Sequence, residues 1–290
     1  MAKIAIVGVG AIGGVLAGLL ETSQAHEITL CTRRPLPALT VETPEGPVSV
    51  RFHNATDASQ TQPVDWILCA TKTYDAATAA NWFPSLTGRR TKLAVIQNGV
   101  EHRENFAGLF PADRILPVVI NVPAERRSDG DILQRAGALI QAEDTALGSD
   151  FAGLFANTKA KLDLTDDFLT AAWAKLCLNA AGVISALTLK PAGVLRDDAL
   201  GEVALGIVAE SVAVGRAEGA KLDDATGARI LAGYRAGSPL SVNSLLADRL
   251  ANRQTEIDAR NGVIVRRGAF HGIPTPLNRM AVALFKGMVS

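Results

Sequence analysis

The sequence predicts an α/β protein: a doubly wound, Rossmann-like parallel sheet in residues 1–163 and an all-helical domain in residues 164–290. Three observations predict it. The chain opens on a buried-strand pattern, a glycine-rich turn and a helical pattern in immediate succession. Short apolar strands then alternate with helical stretches, as expected of a parallel sheet built from crossover units. From Asp166 onward the strand pattern stops and apolar residues recur mostly at helical spacing.

After Lys3, the residues Ile4, Ala5, Ile6 and Val7 form a short apolar run of the kind buried on both faces of a parallel sheet. Gly8, Val9, Gly10, Ala11, Ile12 and Gly13 follow at G-x-G-x-x-G spacing, and Val15, Leu16, Leu19 and Leu20 then keep helical spacing. Strand, glycine turn and helix together match the dinucleotide-binding fingerprint. Gly8 permits the tight turn, Gly10 lets backbone approach a pyrophosphate, and Gly13 lets helix and strand pack closely. The helix N–H groups then face the phosphates. The same run is almost uncharged, like a signal-peptide core, and its Gly10/Gly14 and Gly14/Gly18 pairs occur in membrane helix dimers. It is shorter than the roughly 20 residues a spanning helix needs, and no clear A-x-A site follows, so nucleotide binding is the expectation.

Glu27 to Cys31 reads as the second strand. Folds that bind NAD usually place an acid near its end, for the ribose 2′-hydroxyl. Here the tail is Thr32-Arg33-Arg34-Pro35. A guanidinium pairs with the 2′-phosphate of NADP, so Arg33 points to that cofactor, the alternative being a solvated arginine pair before a proline turn. Val48–Phe52 and, more clearly, Asp65–Ala70 continue the strands, the latter ending in Thr71-Lys72-Thr73. Ala76–Leu86 reads as a helix, and Lys92–Ile96 as a strand ending in Gln97-Asn98-Gly99. Ligands of open α/β sheets lie beyond the carboxyl ends of strands, which makes Lys72 and Asn98 candidates; an ordinary turn role stays open. Arg114–Val122 is a further strand, Asp131–Gln134 and Ala138–Ala142 suggest an antiparallel pair at the sheet edge, and Asp150–Ala160 suggests a helix.

Beyond a boundary near Leu162–Thr165, helical patterns cover Phe168–Leu189, Arg196–Glu218, Asp223–Tyr234 and Asn252–Gly268. A cleft between the two domains is the expected ligand site. Lys175 and Asn179 are spaced i, i+4 among Trp173, Leu176, Cys177 and Leu178, so they share one face of a largely buried helix. Burial lowers a lysine pKa towards the range useful for proton donation; a lysine reaching out to solvent is the plainer reading. Ser244 and Glu256 lie in the segments Ser241–Asp248 and Thr255–Asp258, where Glu256 is equally readable as a helix-surface acid.

Composition narrows the class. At 290 residues and 48% apolar content the chain can bury one large core or two ordinary ones. Lys+Arg and Asp+Glu both number 29, so no net field favours nucleic acid or a membrane surface. Cys31, Cys69 and Cys177 are scattered in apolar surroundings, which argues against a disulfide framework and fits a reducing cytoplasm. His26, His53, His102 and His271 have no metal-ligand spacing, so no metal is expected.

Taken together, these positions resemble the 2-dehydropantoate 2-reductase, or ketopantoate reductase, family almost end to end. The matching stretches are GVGAIGG at Gly8–Gly14, TKT around Lys72, QNGV at Gln97–Val100 and WAKLCLNA at Trp173–Ala180. They continue with SLLAD at Ser244–Asp248, TEIDARNG at Thr255–Gly262 and HGIPTPLN at His271–Asn278. The resemblance implies a cytoplasmic, NADPH-dependent reduction of a small-molecule 2-keto acid to the 2-hydroxy acid, in pantothenate biosynthesis and so the coenzyme A pathway. A homodimer is compatible with it. It implies Lys175 as general acid, with Glu256 partnering that lysine and orienting substrate. It also implies Asn98, Asn179 and Ser244 at the substrate, Asn98 touching cofactor too, and Arg33 and Lys72 on NADP. In one place the chain departs from the family. Where the family has a second asparagine about one turn after Lys-x-x-x-Asn, the segment Gly182–Thr188 offers Ser185, which supplies one hydroxyl in place of an amide. Ketopantoate is therefore the expected substrate, with looser discrimination against acids that lack its extra hydroxyl. The alternatives are an NADP-dependent dehydrogenase of another hydroxy acid or polyol phosphate, and a non-catalytic NADP-binding sensor.

Overall fold

The apolar run after Met1 forms the central strand, β1 (Ala2–Val7), in the computed structural model, which describes residues 1–289. Ile4, Ala5 and Ile6 are fully buried, as a strand covered on both faces requires. The chain forms two compact units. One is Met1–Gln97 with Glu101–Phe168; the other is Asn98–Val100 with the chain from Leu169 onward.

In the first unit, β1 is followed by α1 (Ala11–Ser23), β2 (His26–Cys31), β3 (Thr40–Thr43), β4 (Gly46–Ser49), β5 (His53–Ala55) and β6 (Trp66–Cys69). Two short helices, α2 (Ala76–Ala80) and α3 (Phe83–Leu86), lead to β7 (Lys92–Val95) and β8 (Ile115–Asn121). Then come β9 (Ala124–Ser128), β10 (Asp131–Gln134), β11 (Leu139–Glu143), α4 (Ala146–Gly153) and β12 (Lys161–Thr165). The large sheet has the order β12-β11-β8-β7-β6-β1-β2-β5. From β5 to β8 all neighbours are parallel, and only the β8–β11 pair is antiparallel. Strands β5-β2-β1-β6-β7-β8 thus follow the doubly wound order 3-2-1-4-5-6, which reverses direction between β1 and β6.

A second sheet, β4-β3-β10-β9, packs on α1. A Cβ on Gly14 would meet Ile132 at 2.5 Å and one on Gly18 would meet Val41 at 2.9 Å. The G-x-x-x-G pair therefore serves close helix–sheet packing inside this unit. Two readings of the sequence change here. Asp131–Gln134 and Ala138–Ala142 do not pair: β10 joins β3 and β9 under α1, whereas β11 lies between β8 and β12. The helix expected at Asp150–Ala160 begins earlier, because the Thr145 side chain caps it by accepting from Gly148 N–H, and it ends at Gly153. Leu162–Thr165, where the sequence places the boundary, lies within the edge strand β12.

The second unit is helical: α5 (Phe168–Ala181, its first residue still in the first unit), α6 (Val183–Thr188), α7 (Asp198–Ala217), α8 (Thr226–Ala236), α9 (Ser244–Leu250), α10 (Val263–Phe270) and α11 (Pro276–Val289). The stretch Phe168–Thr188 is apolar and long enough by composition to cross a membrane. Here it supplies Trp173, Leu176, Cys177, Ala180, Val183 and Ile184 to the core. The helix α11 was not evident in the sequence. Its first turn is capped from outside: the Glu210 carboxylate of α7 accepts from Leu277 N–H at 2.8 Å and Asn278 N–H at 2.9 Å, and from the Asn278 amide at 2.7 Å. Those N–H groups have no partner within a helix, so an acceptor supplied from α7 fixes where α11 starts.

Candidate active site

In the first unit the glycine turn sits at the strand-order reversal. Gly8 has φ +97°, a left-handed conformation that disfavours any side chain. A Cβ on Gly13 would lie 2.1 Å from the Gly8 carbonyl oxygen. Gly10, which opens α1, differs: a Cβ there would meet nothing within 4 Å. So Gly8 and Gly13 are required by the turn itself, while the space at Gly10 fits a pyrophosphate against the helix N-terminus. Next to this turn, the Ala70 N–H donates to Val7 O at 2.9 Å.

The turn after β2 is held by Asn54, whose amide donates to Leu30 O at 3.1 Å and to Thr32 Oγ1 at 2.8 Å. The Thr32 hydroxyl in turn donates to Arg34 O at 2.7 Å. Arg33 is exposed on this fixed turn, where a guanidinium can reach a 2′-phosphate. Lys72 is half-buried just past β6, before a single 3₁₀ turn, Thr73–Asp75. Past β7, Gln97 donates through Nε2 to Thr71 Oγ1 at 3.1 Å and accepts from Asn105 at 3.2 Å. The Gln97 carbonyl accepts from His102 Nε2 at 3.0 Å. His102 is buried, and that burial pushes its pKa down to about 4, so it holds the strand end as a neutral ring. Neither Asn54 nor His102 carries a sequence signal for this work; each lies in a stretch that reads as ordinary loop.

The second unit gathers the polar residues that the sequence only suggested. Asn98 donates through Nδ2 to Glu256 Oε2 at 3.0 Å, and Asn179 donates through Nδ2 to Asn98 Oδ1 at 3.3 Å. Asn98 thus links one carboxylate and one amide that lie far apart in the sequence. Glu256 is 4% exposed, so it is not a helix-surface acid. Lys175 is half-buried one turn before Asn179 on α5. Burial first, and the positive Arg260 second, lower its ammonium from 10.5 to about 8. A lysine at that value gives up a proton readily near neutral pH.

The carboxyl end of α5 is held by side chains. Its last carbonyls lack helical partners. Tyr234 Oη donates to Leu178 O at 3.0 Å, Arg260 Nη2 to Asn179 O, Asn261 Nδ2 to Ala180 O at 3.2 Å and Asn243 Nδ2 to Gly182 O at 2.9 Å. Arg260 and Asn261 come from a π turn, Asp258–Gly262, in which Gly262 N–H reaches back five residues to Ile257 O at 3.0 Å. Such turns often mark functional sites. This one brings Glu256, Arg260 and Asn261 together within six residues of sequence.

Two expected residues take no part in the hydrogen bonds that join Asn98, Asn179 and Glu256. Ser244 is exposed at the first position of α9, whose Asn243 cap accepts from Leu246 N–H at 3.0 Å. Ser185 is fully buried within α6, and its hydroxyl has no hydrogen-bond partner among the described residues. None of the bonds joining Asn98, Asn179 and Glu256 involves it. No cluster of three or more metal-ligating side chains occurs among the described residues.

Comparison with known proteins covers nearly the whole chain. The model of the ketopantoate reductase PanE/ApbA family matches residues 4–146, and that of its C-terminal region matches residues 167–289. A 2-dehydropantoate 2-reductase of Caulobacter vibrioides is 50% identical over 284 residues, covering 98% of both chains. One from Mycobacterium tuberculosis is 34% identical, covering 97% of this chain and 96% of its own. The solved structure of 2-dehydropantoate 2-reductase from Geobacter metallireducens superposes with a TM-score of 0.93 at 26% identity, covering 99% of each chain. With both regions matched and half the residues shared with a full-length relative, the chain belongs to the ketopantoate reductase family.

Proposed function

We propose that the protein is an NADPH-dependent 2-dehydropantoate 2-reductase, which reduces ketopantoate to pantoate in pantothenate biosynthesis. The family and the full-length relatives carry the reaction. The observation that supports its placement on particular residues is the Asn179–Asn98–Glu256 chain of hydrogen bonds on the unit that carries Lys175. The open space at Gly10, the N-terminus of α1 and the exposed Arg33 fit the pyrophosphate and 2′-phosphate of NADPH, with Lys72 and Asn98 as further cofactor contacts. When bound, the cofactor supplies hydride to C2 of the keto acid.

This chain's residues do the rest. Charge that develops on the keto oxygen is met by the protonated Lys175 ammonium, which transfers its proton there. The Glu256 carboxylate, fixed by the Asn98 amide, orients Lys175 and a substrate hydroxyl. Asn179 and Ser244 offer an amide and a hydroxyl to the substrate's other polar groups. We take the working compartment to be the cytoplasm, on the scattered, buried and unpaired cysteines.

The test is NADPH absorbance with ketopantoate and with ketoisovalerate, for wild type and Lys175→Ala. Wild type should oxidise NADPH with ketopantoate. The variant should turn over about 10²–10⁴-fold more slowly while binding NADPH as well as before. Near-normal turnover by Lys175→Ala would overturn the assignment of the proton donor. Cofactor binding with no turnover on any 2-keto acid would point to the sensor.

A further inference from the structure

Arg260 is the buried charge that the reaction as described leaves without a task. It is 1% exposed, and its Nε has no hydrogen-bond partner among the described residues. What its Nη2 donates to is a backbone carbonyl, that of Asn179. Burying a guanidinium is unfavourable unless it is well paired, and an apolar side chain of similar volume often serves stability as well or better. Stability alone is therefore a poor account of this residue.

Its surroundings suggest a better one. The groups that face it electrostatically are the Tyr234 phenol on α8, the Asp248 carboxylate on α9 and the Glu256 carboxylate just before the π turn. Asp248 also accepts from Arg253 Nε at 3.0 Å. On α5 the Lys175 ammonium is repelled by Arg260. The same helix face carries Asn179, whose carbonyl Arg260 holds and whose amide donates to Asn98 at 3.3 Å. The side-chain ends of these residues converge at Gly182: a Cβ there would meet Asn243 Nδ2 at 2.9 Å, Tyr234 Oη at 3.0 Å and Arg260 Nη2 at 3.2 Å.

We propose that Arg260 is a positioning residue of the reductase site: its guanidinium clamps the end of α5 and fixes both the place and the charge environment of Lys175 and Asn179. The proposal rests on Lys175 being the proton donor. The guanidinium has two effects that separate by experiment. The clamp keeps Asn179, and through it Asn98, in register with Glu256. The charge weakens the hold of Lys175 on its proton, so that donation to the keto oxygen is easier.

The test compares wild type, Arg260→Met and Arg260→Lys in kcat against pH, NADPH affinity, thermal unfolding and direct NMR titration of the Lys175 ammonium. Arg260→Met loses clamp and charge together. Its kcat should fall about 10- to 100-fold, the usual scale for a misplaced reacting group, and the Lys175 titration and the high-pH limb of kcat should both move upward. Arg260→Lys keeps the cation but presents a single nitrogen. Its kcat should fall while the titration stays near the wild-type position. NADPH affinity should change far less than kcat in both, because the glycine turn, Arg33 and Lys72 belong to the first unit. Wild-type kcat in Arg260→Met, or a lower unfolding temperature with no movement of the Lys175 titration, overturns the proposal. If wild type reduces no 2-keto acid, the functional reading fails instead. The NMR titration still decides whether Arg260 acts on Lys175, and should Arg260→Met not fold, Arg260→Gln, which also removes the charge, takes its place: an unmoved Lys175 titration in that variant overturns the proposal.

Discussion

At the scale of single residues, protonation and burial make the sharpest predictions. Lys175 titrates near 8 in the folded protein against 10.5 ordinarily, so reduction, which needs the ammonium, should decline as pH rises through about 8. Pantoate oxidation, which needs the free amine, should rise over the same interval; parallel pH profiles in the two directions would refute this role. The sign for stability follows the same shift. Between about pH 8 and 10.5 the unfolded chain holds more protons at this site, so the Lys175 contribution to stability increases with pH there. Arg33 should act on the cofactor alone. Arg33→Ala is expected to cost about 1.5–3 kcal/mol of NADPH binding, the worth of a charge-assisted hydrogen bond, and to leave NADH binding unchanged; equal weakening of both cofactors in a titration would count against it. Ser185 carries the opposite expectation. Its buried hydroxyl has no partner among the described residues, so Ser185→Ala should leave the ketopantoate-to-ketoisovalerate ratio unchanged and raise stability slightly, read as the urea midpoint. A changed ratio would put Ser185 at the substrate.

At the scale of elements, what was legible in the sequence depended on whether the signal is local. The β1–turn–α1 unit was legible because each glycine answers to atoms within a few residues or one strand away, and the turn allows a clean contrast. Gly13→Ala forces a Cβ to 2.1 Å from Gly8 O, whereas Gly10→Ala places it in open space. The first should lower the melting temperature; the second should fold normally and lose NADPH affinity, as calorimetry would show. Equal loss of stability in both would contradict the division of roles. The helix α11 was not legible, because its start is set by Glu210, more than sixty residues upstream in α7. Glu210→Ala strands backbone donors at that start and should cost about 1–3 kcal/mol by denaturant titration. For the same reason the pattern around Lys175 gave the helix and its buried face but not the side chains that close its end. Tyr234, Asn243, Arg260 and Asn261 come from three later segments, and nothing in their own neighbourhoods announces it.

At the scale of the whole molecule, the division into a nucleotide-binding sheet and a helical unit followed from the change of period near Asp166. One detail ran against reading the chain linearly. Asn98, Gly99 and Val100 belong with the helical unit although the residues on either side belong with the sheet. A Cβ on Gly99, whose φ is +96°, would meet the Ala259 carbonyl oxygen at 2.7 Å, and Asn98 supplies the donor that Glu256 accepts. The helical half of this enzyme is therefore not a single continuous cassette. A chimera that joins residues 1–168 of one reductase to residues 169–290 of another also transplants a foreign tripeptide beneath Glu256, and it should recover activity when residues 98–100 are exchanged along with the second half. Wherever relatives trade halves by recombination, the inheritable block is split in two, and a crossover anywhere between those blocks separates the asparagine from the carboxylate it serves.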